Sequence, residues 1–197
     1  MHRFRTLVFA GLALVATLAV AQTGAQQPQM TPEQEAYMKA GAPGPQHKAM
    51  AAQAGNYDVK VKTWHDPSNP TPMEDSGTAK RTMTLGGRVL VEEFSSTMMG
   101  MPFTGRGTFG YDNVTGKYWG TWNDTMTTGV MMSEGTCDAE MKNCTFTGTM
   151  VDPISKTPLK LRMVTRWTGA NTEIFEMYTP SPDGKEFKMM EITYTKK

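Results

Sequence analysis

The chain has 197 residues, with 20 Lys and Arg against 19 Asp and Glu, and is 39% hydrophobic and 20% charged. These proportions suit one ordinary soluble domain and exclude a disordered, fibrous or polytopic protein. A formal charge of +1 and the lack of any long run of like charges exclude the basic footprint of a dedicated nucleic-acid binder.

Arg3 and Arg5 precede an apolar run from Leu7 to Val20, and Ala19-Val20-Ala21 has the small-x-small pattern that signal peptidase accepts. Residues 1–21 are therefore expected to be a cleaved secretory signal peptide. The apolar run of fourteen residues falls short of the about twenty that a bilayer-spanning helix needs, so no permanent membrane anchor is expected. No Cys follows the small residues, which removes the lipid attachment of a lipoprotein. The mature chain of 176 residues is expected to be exported, periplasmic or secreted, in a bacterium. Residues 22–44, rich in Gln, Ala, Pro and Gly, predict a flexible leader with one helical turn after Thr31-Pro32-Glu33. Residues 45–197 make a single domain.

Good helix formers run from Gln46 to Ala54, and Gly55 stands where a helix ends, so one short N-terminal helix is expected. After it, Val, Thr, Tyr, Phe and Trp are frequent, apolar and polar residues alternate, and turn residues recur every ten positions or so. This predicts ten strands, at 56–64, 77–85, 89–97, 103–111, 117–124, 129–136, 143–151, 159–167, 172–179 and 187–195. Gly86-Gly87, the run from Asp112 to Gly116, and Pro182-Asp183-Gly184 supply hairpin turns. Short connections make successive strands antiparallel neighbours. Ten such strands either close into a barrel or stack as two sheets, and the leading helix favours closure into an all-β, up-and-down barrel.

Alternation assigns Tyr57, Val59 and Val61 to the inner face of the first strand, and Leu159, Leu161 and Met163 to that of the eighth. Trp119 and Trp122 fall on opposite faces of the fifth. The tenth is apolar on both faces, through Phe187, Met189, Met190, Ile192 and Tyr194, and its register stays open. Cys137 and Cys144 flank the polar segment Asp138 to Asn143. In an oxidising compartment an even cysteine count and this spacing predict a disulfide joining two strands across a six-residue turn.

A short helix, then Gly55-Asn56-Tyr57 opening the first strand of a meander, resembles the lipocalin-type (calycin) barrel, with Tyr57 where that family usually has Trp. The stretches Leu85-Gly86-Gly87-Arg88, Phe103-Thr104-Gly105-Arg106-Gly107, Gly110-Tyr111-Asp112, Thr121-Trp122-Asn123-Asp124, Asp152-Pro153 and Glu191-Ile192-Thr193-Tyr194 resemble a bacterial family, domain of unknown function 1579. That resemblance spans residues 45–197 and implies a single domain; it brings no activity with it.

Chemistry-bearing residues are few. The mature chain has two histidines, His47 and His65, and lacks a nucleophile elbow, a phosphate loop and a dinucleotide fingerprint. His47 reads as a solvated or helix-capping residue. His65 opens the proline-containing loop 66–76 at one barrel mouth. Glu92 and Glu93 are neighbours in a strand, so one of them faces inward. With Glu176 and Glu191 they are candidate inward carboxylates, and Arg88, Arg162 and Arg166 are their candidate partners. Seventeen of the mature residues are Met. Thioethers select Cu(I), which makes Met98, Met99 and Met101 a candidate copper site, while adaptable packing around a pocket explains Met equally well.

The leading expectation is a β-barrel that holds one small apolar or amphipathic molecule and needs no cofactor. Tyr57, His65, Glu92, Trp122, Met163 and Glu191 are its candidate binding residues. The alternatives are an enzyme using an inward carboxylate with His65, and a Cu(I)-binding protein.

Overall fold

In the computed structural model, residues 30–181 and 183–197 are described. The expected signal peptide and the first part of the leader lie outside them. The rest of the leader holds a full helix, α1 (Pro32–Gly41), where one turn was expected. Thr31 caps it: its Oγ accepts from the Gln34 backbone N–H, while the Gln34 side chain accepts from the N–H of Thr31. The helix buries none of its residues. Its end is held by two hairpin tips, through Arg88 Nε donating to Gly41 O (2.8 Å) and Asn113 Nδ2 donating to the carbonyls of Ala40 and Ala42.

The expected short helix is α2 (Pro45–Ala52). His47 caps it, with Nδ1 accepting the Gly44 backbone N–H at 3.0 Å and the ring edge-on to Tyr111. Burial pulls this imidazole below its ordinary pKa, as a neutral cap requires. The capping reading of His47 therefore holds, though the residue is buried and not solvated.

Ten strands follow: β1 (Gly55–Thr63), β2 (Met73–Thr84), β3 (Val89–Met98), β4 (Met101–Asp112), β5 (Lys117–Asp124), β6 (Met131–Cys137), β7 (Asn143–Val151), β8 (Pro158–Trp167), β9 (Thr172–Pro180) and β10 (Glu186–Lys196). Each pairs antiparallel with its neighbours in sequence, and β1 pairs with β10, so the sheet is a closed barrel. Closure leaves no sheet edge, which answers the choice between barrel and sandwich.

The inner face is the one expected: Tyr57, Val59 and Val61 pack with Phe94, Phe103, Ile192 and Tyr194. Trp122 also packs there, lying flat over Gly105, where a Cβ would sit 2.2 Å from the indole. A glycine at that point makes room for a ring inside a narrow barrel. β10 defied alternation because its register against β9 shifts between Lys188 and Met190. One extra residue flips every side chain beyond it to the other face, which sets Ile192 and Tyr194 inward and Glu191 outward.

Helix α2 plugs one end of the barrel. Met50 is fully buried against Tyr118, Met141 and Cys144. The disulfide between Cys137 and Cys144 forms as expected, across a directly opposed pair on β6 and β7. The chain terminus pins the helix from the other side. Gly55 has φ +151, and the Lys196 side chain passes where a Cβ would point, bringing Nζ to Ala52 O at 2.8 Å. A cation on the last carbonyls of a helix is favourable there.

Candidate functional site

Near the α2 end, register sets Gly55, Arg81 and Glu92 side by side on β1, β2 and β3. From β2, Arg81 reaches Glu173 on β9. Its Nε donates to Glu92 Oε2 at 2.5 Å, and its Nη1 and Nη2 donate to the two oxygens of Glu173 at 2.5 and 3.3 Å. Tyr194 donates to the remaining Glu92 oxygen at 3.2 Å. The guanidinium also stacks between Tyr57 and Tyr194, 4.8 and 4.5 Å from their ring centres. Burial opposes the charge on Arg81, but Glu173 and Glu92 outweigh it and hold the guanidinium well above its ordinary range. Burial, with Glu92 adding, pushes the Tyr194 phenol well up.

This cluster absorbs two of the sequence candidates, Tyr57 and Glu92, as well as Glu173 and Arg81, which the sequence reading passed over. Arg81 is 7%, Glu92 2% and Glu173 3% exposed, so the cluster is buried within the barrel. Of the expected arginine partners, Arg88 holds α1, while Arg162 and Arg166 lie outside on Glu186 and Glu176. Glu176 is buried on that outer face between Arg166 and Lys188, and Glu191 bonds the same lysine at 2.6 Å. Glu191, a candidate inward carboxylate on a strand whose register the sequence left open, thus points outward beyond the β10 register shift. His65 is exposed beyond the far end of β1. At about 3.3 Å per residue it stands roughly 30 Å of strand from the level of Glu92, too far for the two to share a reaction.

Trp122 and Met163 do face inward. Trp122 Nε1 donates to Asp124 at 2.9 Å, and Met163 is buried. The methionine triplet is split: Met98 packs against the core, whereas Met99, at φ +52, occupies the apex of the β3–β4 hairpin and is half exposed, as is Met101. Among the described residues, no three His, Cys, Asp or Glu side chains gather as a metal site.

The open space lies elsewhere. β8 and β9 pair from Arg162 opposite Tyr178 to Trp167 opposite Glu173, yet β8 begins at Pro158 and β9 runs on to Pro180. Between the diverging ends is a cleft of about 420 Å³. Its floor includes inward Leu161 and Gly148, and its rim carries Lys160, Arg162 and Glu186. Arg162 stacks on Tyr178 at 4.1 Å and grips both oxygens of Glu186, at 2.5 and 2.7 Å. Thr179 Oγ1, also in the lining, is buried with no hydrogen-bond partner among the described residues. None of the six sequence candidates lines this cleft.

A family model described as "Protein of unknown function (DUF1579)" matches residues 42–196. The chain belongs to this family. No curated protein matches it. Solved structures that resemble this DUF1579 barrel include the following two. Rv2717c from M. tuberculosis superposes with a TM-score of 0.60 at 11% identity, over 79% of this chain and 99% of the other. The S-type phycobiliprotein lyase CPES from Guillardia theta gives 0.50 at 6% identity, over 82% of this chain and 96% of the other. At such low identity the likeness is one of fold, a lipocalin-like barrel.

Proposed function

We propose that this DUF1579 protein is an exported carrier that binds one small apolar or amphipathic molecule at the cleft between β8 and β9. The observation that carries the reading is the cleft that lies where β8 and β9 stop pairing. There the lining offers about 420 Å³ of space, with the apolar side chain of Leu161 among the groups around it. Elsewhere in the interior, the ionic cluster occupies the α2 end and Trp122 lies over Gly105. Export rests on the N-terminal sequence and suits the disulfide.

The test is titration of the protein with N-phenyl-1-naphthylamine, a neutral dye that brightens in apolar surroundings. Wild type is expected to bind it saturably at one site, and Thr179→Phe, which fills the cleft, to bind at least about tenfold more weakly. No saturable binding by wild type sinks the carrier reading. Equal binding by the variant removes the cleft as its site.

A further inference from the structure

We propose that the rim of the β8–β9 cleft recognises an anionic head group, so that the molecule bound is an amphipathic anion of the medium-chain carboxylate kind. This deepens the carrier reading and rests on it. Three observations converge on the rim.

The first is Arg162. Its guanidinium is fixed by stacking on Tyr178 at 4.1 Å, and its fork already holds a carboxylate in two-point contact, that of Glu186. The geometry there is one that accepts a carboxylate. Glu186 is more than half exposed, and it begins β10 directly after the turn that ends at Lys185. An exposed pair of this kind contributes little to stability, so a ligand carboxylate can take the place of Glu186 without cost to the fold.

The second is Lys160. Two positions before Arg162 on the same strand, it shares the outer face, is exposed, and has no ion-pair partner among the described residues. With Glu186 in place the rim keeps one positive charge in excess, and with Glu186 displaced it presents two. The third is the floor. Leu161 lies between the two cations in sequence and faces the other way, into the barrel, and the orphaned Thr179 hydroxyl lies in the same lining. Cations outside and an apolar floor within match a molecule with a charged head and a hydrocarbon tail. At roughly 30 Å³ per water-sized group, about 420 Å³ holds some fourteen such groups, and decanoate has about twelve heavy atoms.

The experiment displaces bound N-phenyl-1-naphthylamine with decanoate, decanol and decylammonium, which share a chain and differ in head charge. Decanoate is expected to displace the dye at concentrations at least about tenfold lower than the other two. Lys160→Gln and Arg162→Gln are expected to erase that preference while leaving decanol unchanged, and Glu186→Gln, which releases the Arg162 fork, to strengthen decanoate binding. Melting curves confirm that each variant is folded. Equal displacement by all three compounds, or a decanoate preference that survives both cation variants, overturns the anion proposal and leaves the carrier reading standing. Failure of wild type to bind the dye or any of the three overturns both.

Discussion

Replacing Arg81 by Met tests the reasoning about the barrel interior most severely. The substitution keeps an unbranched side chain and removes the cation that bonds Glu92 and Glu173. Both carboxylates are nearly sealed from water, so they must then be protonated or the barrel must open. Holding one glutamate protonated near pH 7, against an unfolded-chain pKa of about 4.3, costs about 3.7 kcal/mol. Arg81 neutralises one of the two charges, so the loss is at least about that figure, and about 7 kcal/mol if both carboxyls take up a proton. The lower figure falls within the roughly 3–5 kcal/mol found when a buried pair loses one partner. A domain of ordinary stability, about 5–15 kcal/mol, would be left marginal. Near pH 5 the same protonation costs only about 1 kcal/mol per carboxyl, so the variant should recover roughly 3 kcal/mol on mild acidification. Urea unfolding followed by tryptophan fluorescence at both pH values measures this directly. A loss below about 1 kcal/mol near pH 7, or a deficit that acid does not relieve, refutes the account. Adding Glu92→Gln and Glu173→Gln to Arg81→Met should restore at least half of the loss, since no buried charge then lacks a partner.

Other consequences can be checked on the same protein. Burial raises the phenols of Tyr57 and Tyr194, so the folded state keeps protons that the unfolded chain releases near pH 10. Their contribution is fully present below that pH and is lost as pH rises above it. Tyr194→Phe should flatten the alkaline fall in denaturation midpoint, and an unchanged slope contradicts the assignment. Met50→Ala removes a fully buried side chain from the α2 plug and should cost about 2–5 kcal/mol in urea titrations; a cost under about 1 kcal/mol would mean the plug is loosely seated. Replacing Cys137 and Cys144 with Ser together should lower stability by about 2.5 kcal/mol through the freed unfolded chain, and an unaltered urea midpoint would count against that.

How much of this was legible in the sequence differs from element to element. The strands were, because alternation in β1 and β8 follows burial on one face and the turn residues mark every reversal. The register of β10 was not, because the shift between Lys188 and Met190 is a tertiary event that makes alternation change sign within one strand. An inward carboxylate was deduced from adjacent Glu92 and Glu93, yet its partner was missed. Arg81 sits among Thr78, Lys80 and Thr82, and reads there as one more exposed polar residue. The usable signal was its place two positions after inward Ala79. The cleft left the faintest trace, since it arises from where two strands stop pairing. Pro158, which opens β8, and Pro180, which ends β9, have no N–H to give a ladder and mark it.

The closing pair, β1 with β10, joins the first strand of the barrel to the last. Every other ladder forms between neighbours in sequence and can assemble as the chain emerges, but this seam must wait for residues up to Lys196. Until then a nine-stranded sheet has two open edges, one at β1 and one at β9, each able to template pairing with another chain. The eleven residues of β10 therefore act as the seal that turns a sticky ribbon into an edgeless ring. With Lys196 bonded to the end of α2, that last strand also sets the plug in its socket.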